Sequence, residues 1–205
     1  MFRQRLKKIY TVTAFIIIAA FIALILGSRM PAAITAFREN ISEKMLSRQL
    51  FKTYNALGGA FSFQLPGTWD SNEVAFEGGE IIYHLYFMSK DKKINGFVQV
   101  WKLDKTLKQF LDESKKAATG VVDFKFFNQK EIMADNKRGY LLEYSRANEK
   151  GEYTRAYEAF IEGYGNSIYR ISFFVPEKEW KDYYKILFDR IINSIRIRKP
   201  SAGTS

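Results

Sequence analysis

Residues 152–175 read EYTRAYEAFIEGYGNSIYRISFFV, and this stretch decides the fold of the chain. Two runs that alternate between apolar and polar residues, 152–162 and 167–175, flank the turn-forming segment 163–166. An alternation of period two is typical of β-strands, and a short turn between consecutive strands makes them antiparallel neighbours. The stretch therefore predicts an antiparallel strand pair.

The same pattern extends the sheet along the chain. Further strands are predicted at residues 51–56, 60–65, 69–76, 80–88, 97–103, 121–132 and 138–146. Two amphipathic helices interrupt them. One spans residues 107–118 after a capping Asp104, and Pro176 opens the other. The apolar stripe of this last helix comprises Trp180, Tyr184, Leu187, Ile191 and Ile195. Strand runs punctuated by such helices indicate an α+β domain, an antiparallel β-sheet flanked by helices.

The N-terminus carries a long apolar run. Residues 10–28 hold no charge and follow the basic residues Arg3, Arg5, Lys7 and Lys8. Because roughly 20 helical residues span a ~30 Å hydrocarbon core, we predict a transmembrane signal anchor. Its apolar side chains are Phe15, Ile16, Ile17, Ile18, Phe21, Ile22, Leu24, Ile25 and Leu26. A cleaved signal peptide and a buried core helix are the alternatives, although no frame nearby places small residues at both cleavage positions.

The anchor organises the rest of the chain. The positive flank favours a cytoplasmic N-terminus, so the C-terminal domain is expected to be extracytoplasmic on a single-pass cell-membrane protein. The predicted segments are a basic cytoplasmic tail at 1–9, the anchor at 10–28, an amphipathic stalk helix at 29–50, the domain at 51–197 and a flexible tail at 198–205. Whether the stalk packs on the domain, the membrane or a partner is open at this point.

The composition excludes several kinds of chemistry. The chain has no cysteine and one histidine, which excludes thiolate sites and sites that need two histidines. His84 has no serine in a G-x-S-x-G elbow to activate. The clustered carboxylates Asp70, Glu73, Glu77 and Glu80 break the ligand spacing of a calcium loop. We therefore predict no enzyme, no catalytic residue, no metal site and no cofactor. An enzyme built on His84 or these carboxylates is the alternative.

Aromatic residues supply the candidate interaction surface. Most of the 18 Phe, 12 Tyr and 3 Trp fit core positions of strands or helices. Tyrosine also anchors protein interfaces, because it joins a large apolar ring to a polar tip. The tyrosines that we select for such a surface are Tyr86, Tyr153, Tyr157 and Tyr164. In residues 80–88 both alternating sets are largely apolar, so both faces of that strand are expected to be covered.

Three stretches resemble the PsbP-like superfamily. Residues 61–69, FSFQLPGTW, are similar to its opening aromatic strand followed by Pro and Trp. Residues 139–144, GYLLEY, stand where its central meander strand would be. Residues 169–176, YRISFFVP, resemble its final strand, and the closing helix follows with Trp180, Phe188, Ile191, Ser194 and Ile195.

The resemblance covers residues 51–197 and implies an α/β/α sandwich. It also implies a membrane-bound or secreted bacterial relative of unassigned role. Known members of the superfamily tend to be non-enzymatic accessory proteins that bind other proteins, so the same is expected of this chain. Fold alone does not convey a function.

These observations lead to two hypotheses about function. The first is an extracytoplasmic module that binds a protein in or near the membrane, as an accessory to a membrane complex. The second is a binding module for a small apolar or anionic ligand. Basic residues outnumber acidic ones, 32 to 22, but they are interleaved and no nucleic-acid motif appears, so no nucleic-acid partner is expected.

Overall fold

The computed structural model describes residues 50–76 and 79–199. In chain order the strands and α-helices are β1 (Phe51–Ala56), β2 (Phe61–Pro66), β3 (Asp70–Glu73), β4 (Ile81–Met88), β5 (Asn95–Lys102), α1 (Leu107–Ala118), β6 (Phe124–Ala134), β7 (Lys137–Ala147), β8 (Tyr153–Glu162), β9 (Ser167–Pro176), α2 (Tyr184–Asn193) and β10 (Arg196–Ile197). Short 3-10 turns occupy Leu57–Gly59 and Glu177–Glu179.

Two antiparallel sheets form the framework. The large sheet has seven strands in the order β3-β4-β5-β9-β8-β7-β6, and the small sheet has three in the order β1-β2-β10. The strand pair of residues 152–175 becomes β8 and β9, at the middle of the large sheet, with Tyr157 opposite Phe173. The consecutive strands β6 to β9 pair as a meander, because each connection is a short turn.

Each face of the large sheet is covered differently. On the α2 face, the ring of Phe173 stacks on Phe188 of α2 with centroids 4.1 Å apart, and Tyr169 packs on Phe61 of the small sheet. On the α1 face, Leu107 and Leu111 join a buried cluster with Phe160. The antiparallel α+β prediction is confirmed. The simple sandwich is modified, because the small sheet shares the α2 layer.

The start of α1 corrects the predicted cap. Thr106 is the N-cap: its Oγ1 accepts from the Gln109 N–H at 3.3 Å, and Gln109 Oε1 accepts from the Thr106 N–H at 3.0 Å. These reciprocal bonds satisfy two backbone donors at the helix start. Asp104 lies two residues too early to make them, so its predicted capping role is wrong.

The last helix begins later than predicted. Pro176 ends β9, and α2 begins only at Tyr184. Trp180 has extended backbone angles, and its ring stacks under the Arg155 guanidinium at 4.2 Å. Ile195 lies beyond the helix but is buried beside β10. The apolar spacing predicted one helix from Trp180 to Ile195. In the structure Trp180 lies in the loop before α2, and Ile195 lies after its end.

The N-terminal predictions fall outside this structure. Residues 1–49, with the proposed tail, anchor and stalk helix, and residues 200–205 lie beyond the described part. Within the described part, none of the helices has the length and apolarity needed to cross a membrane.

Candidate functional site

One part of the α1 face has no helix over it among residues 50–76 and 79–199. The helix α1 covers the β7, β8 and β9 region of this face through Leu107 and Leu111. At the opposite end, where β5 begins and β9 ends, the partly exposed rings of Phe97 and Phe174 pack together at 5.7 Å. These rings form the floor of an open groove of about 1090 Å³.

Two loops form the walls of this groove. Residues 121–123, between α1 and β6, supply one wall, and Val121 is 82% exposed. The turn between β7 and β8 supplies the other. Asn148 holds that turn, since its Oδ1 accepts from the N–H groups of Lys150 and Glu152, each at 2.9 Å. The predicted strand at 121–132 begins only at Phe124, because its first residues form the wall.

Charges of both signs surround the aromatic floor. The groove lining includes the cations Arg146 and Lys150 and the carboxylates Asp123, Glu149 and Glu152. An apolar centre with a mixed polar rim is typical of protein interfaces. The arrangement suits a polar-edged apolar surface and carries no dominant charge of one sign.

His84 lies next to this surface on β4. It is only 2% exposed, and its ring packs on Tyr86 at 4.0 Å and on Phe97 at 5.6 Å. Gln99 Nε2 donates to His84 Nδ1 at 2.7 Å, so a neutral ring carries its proton on Nε2. Nε2 is buried and has no hydrogen-bond partner in the described part of the chain. Burial, followed by the charge of Arg170, lowers the pKa of His84. The ring is therefore a neutral packing group.

A buried ion pair connects this surface to the region under α1. Glu158 is 2% exposed, and its carboxylate accepts from Arg170 Nε at 2.9 Å and from the hydroxyls of Tyr144 and Ser172. Burial alone would raise the pKa of Glu158, but Arg170 and these hydrogen bonds outweigh it and lower the pKa. The Arg170 guanidinium also lies 4.7 Å from the ring centroid of Phe97.

The predicted carboxylate cluster does not converge on a site. Asp70 and Glu73 lie exposed on β3, Glu80 is exposed before β4, and Glu77 lies outside the described residues. Across residues 50–76 and 79–199, no group of three or more His, Asp or Glu side chains is arranged to hold a metal ion. Among the described residues, the hydrogen-bond partner of His84 is Gln99 and not Asp70, Glu73 or Glu80.

The four selected tyrosines do not share a surface. Tyr86 is 49% exposed beside Phe97. Tyr157 is buried on the opposite α2 face, where its hydroxyl donates to Asp189 at 2.7 Å, so its selection for a surface was wrong. Tyr153 and Tyr164 lie at opposite ends of β8, and Lys137 Nζ lies 3.6 Å from the Tyr164 ring centroid.

Sequence reasoning missed the groove floor. Phe97 and Phe174 stand at strand positions whose neighbours are core residues, so their alternation alone reads as core. The pairing of β5 with β9, which places Asn95 opposite Phe174 and Phe97 opposite Ser172, joins distant parts of the chain, and the sequence pattern does not reveal it. Among the described residues no helix covers this end of the face, so the two rings stay partly exposed.

The comparisons with known proteins agree on this fold. The PsbP family model matches residues 49–197. The solution structure of cyanobacterial PsbP (CyanoP) from Synechocystis sp. PCC 6803 is similar with a TM-score of 0.52 at 18% identity, over 72% of this chain and 92% of that one. The Saccharomyces cerevisiae Ran-binding protein Mog1p has a TM-score of 0.50 at 16% identity, over 75% of this chain and 98% of that one.

No curated protein matches the chain. At these identities the solved structures show a shared fold and no shared partner. The family match covers most of the chain, including every strand and helix described above. The chain therefore belongs to the PsbP family, whose members are generally non-enzymatic binding domains.

Proposed function

We propose that this protein is a membrane-anchored, extracytoplasmic accessory module that binds another protein of a membrane complex through the open groove. The observation that carries the proposal is the half-buried aromatic floor of Phe97 and Phe174, which lines one groove together with two neighbouring loops. Aromatic anchors inside a polar rim are the features that dominate binding energy at protein interfaces.

The shape of the groove supports a macromolecular partner over a small ligand. Small-molecule sites enclose most of the ligand surface, typically within ~300–1,000 Å³. This groove is open to solvent, and the Val121 side chain on one wall is largely exposed. A protein segment laid across it would cover the exposed rings of the floor and contact both signs of charge at the rim.

Site-specific crosslinking in intact cells tests this proposal. A photoreactive phenylalanine analogue replaces Val121 in the groove, and the matched control replaces Tyr183, which is 45% exposed near the start of α2. We expect one protein to crosslink from position 121 only. The pair Phe97→Ala and Phe174→Ala should abolish that crosslink without lowering the level of the protein. The same adduct from both positions, or its survival in the double variant, would contradict groove binding.

A second candidate function is the binding of a small, largely apolar ligand that carries one hydrogen-bond acceptor. A hollow of about 380 Å³ lies beside β4, lined in part by Val74, Phe76, Ile82 and His84. The buried, unpartnered Nε2 of His84 favours it, because a buried donor without a partner is costly. Native mass spectrometry of the purified full chain tests this function. A bound small molecule that His84→Phe releases supports it, and a mass equal to that of the chain alone contradicts it.

A further inference from the structure

Positive charge gathers where the described chain ends. Ile197 of β10 is buried against the core, so the alternation of the strand turns Arg196 and Arg198 outward. Arg196 lies opposite Ser62 of β2, and the Arg198 N–H donates to the Ala60 carbonyl at 2.8 Å. Lys199 follows and is exposed. Arg196 and Arg198 lie along the outer side of the small sheet, away from the large sheet.

The same surface reaches the point where the chain enters the domain. The Arg190 guanidinium of α2 lies 4.1 Å from the ring centroid of Phe51, the first residue of β1. Leu50, just before it, is 85% exposed. We call Arg190, Arg196, Arg198 and Lys199 the basic surface. The basic surface lies beside both the first and the last described residues of the domain.

Arg198 and Lys199 supply the exposed charge of this surface. Arg196 Nη1 donates to the carbonyls of Asn193 and Ile195 at the end of α2, where the helix dipole favours a cation. Within residues 50–76 and 79–199, the side chains of Arg198 and Lys199 form no ion pair. The carboxylate beside β10 is Asp135, whose Oδ2 accepts from the Ile197 N–H at 2.7 Å.

We propose that the basic surface docks the domain on the anionic headgroups of the bilayer. This inference rests on the proposed membrane anchor. Anionic lipid attracts basic residues that stand near the membrane surface, within a Debye length of about 10 Å. The chain connection to the proposed anchor would keep the domain near the bilayer, where this attraction acts.

Docking in this way would set the orientation of the domain. The basic surface belongs to the layer that covers the α2 face of the large sheet, through β10 and the end of α2. The groove lies on the opposite α1 face. A domain that rests on the basic surface turns its groove away from the bilayer, where a partner protein can reach it.

Energy transfer to labelled lipid measures this docking. The chain has no cysteine, so a single introduced cysteine carries the donor dye. Asn55→Cys places it on the outer side of β1, beside Ser62 and thus one strand from Arg196. Gln129→Cys on the exposed edge strand β6 is the control position. The full chain is reconstituted in vesicles of neutral phosphatidylcholine or of phosphatidylcholine with phosphatidylglycerol, each with headgroup-labelled acceptor lipid.

We expect transfer from position 55 to rise in the anionic vesicles and to fall again in 0.5 M salt, with a smaller change from position 129. The variant Arg198→Gln/Lys199→Gln keeps the Arg196 contacts with α2. At about fivefold per basic residue, it should lower the ratio of docked to undocked domain by more than about tenfold. The matched variant Lys115→Gln/Lys116→Gln, on α1, removes the same charge and should leave the ratio unchanged.

The outcomes separate docking from the anchor. A full chain that fails to float with the vesicles would overturn the membrane anchor itself. A chain that floats, but shows equal transfer in neutral and anionic vesicles, would overturn docking alone. Equal losses of energy transfer in Arg198→Gln/Lys199→Gln and in Lys115→Gln/Lys116→Gln would also overturn docking. Net charge, rather than the basic surface, would then control the transfer.

Discussion

Phe160 and Phe97 stand on the same face of the same sheet, and Arg170 contacts both rings, at 5.0 Å and 4.7 Å. Phe160 is 4% exposed because α1 lies over it, whereas Phe97 lines the open groove. Strand alternation gave both rings the same direction. Coverage by a helix made one a core residue and the other a candidate for binding, so the two halves of this face should respond differently to mutation.

The largest effect should come from the ion pair between the two halves. Glu158→Gln leaves Arg170 without its buried carboxylate partner, and breaking such a pair costs about 3 kcal/mol or more in the free energy of unfolding. Chemical unfolding of the full chain in detergent measures it. Glu131→Gln, exposed on β6, is the matched control and should have a much smaller effect. Equal stabilities of the two variants would show that Glu158 does not stabilise the part of the sheet face that α1 covers.

The next effect separates the covered half from the groove directly. Leu111→Ala removes a buried side chain under α1 and should lower the free energy of unfolding by about 3 kcal/mol. Val121→Ala, at an exposed wall position, should change it by less than about 0.5 kcal/mol. The same unfolding experiment compares them. A large loss of stability from Val121→Ala would mean that the groove wall belongs to the core.

A smaller effect should appear in the pH dependence of stability. His84 is the single histidine, and burial lowers its pKa in the folded state. The unfolded chain, with a histidine pKa near 6.5, then binds more protons, so stability falls as the pH drops below about 6.5. Between pH 7.5 and 5.5 the native chain should lose more stability than His84→Gln, by at most about 1.4 kcal/mol. Parallel pH profiles of the two proteins would contradict a buried, neutral His84.

The smallest effect should come from the solvent side of α1. Lys108 Nζ lies 2.7 Å from Asp112 Oδ2, but both side chains are largely exposed. Exposed pairs of this kind contribute little, because water and salt screen them. Lys108→Gln should leave the unfolding midpoint unchanged within error, at both low and high salt. A clear shift would show that α1 depends on its outer face as well as on Leu107 and Leu111.

Local pattern was sufficient for much of the fold. The alternation at 152–162 and 167–175 predicted β8 and β9, and the turn between them made the pair antiparallel. It was less reliable where two residues competed for one role. Thr106 caps α1 instead of Asp104, because only its hydroxyl lies three residues before the Gln109 N–H. Pro176 ended a strand, although proline also suits a helix start.

The candidate site was much less predictable. Tyr157 and Tyr86 both looked like strand tyrosines, yet Tyr157 is buried and donates to Asp189 of α2, whereas Tyr86 stands half exposed beside His84. The expectation that both faces of β4 are covered was also wrong, since Tyr86 and Met88 remain exposed at 49% and 40%. Burial depends on what lies above a face, and alternation carries no information about that.

The sequence by itself determined most of the strands, the antiparallel pairing of consecutive strands such as β8 and β9, and the absence of cysteine chemistry, because propensity, turn residues and composition act over short distances. Tertiary structure alone decided the pairing of β5 with β9, the partial cover by α1 and thus the groove. It also brought Arg190 to Phe51, and so the end of the domain to its beginning. These contacts join residues far apart in the chain, and only packing of the whole sheet selects them.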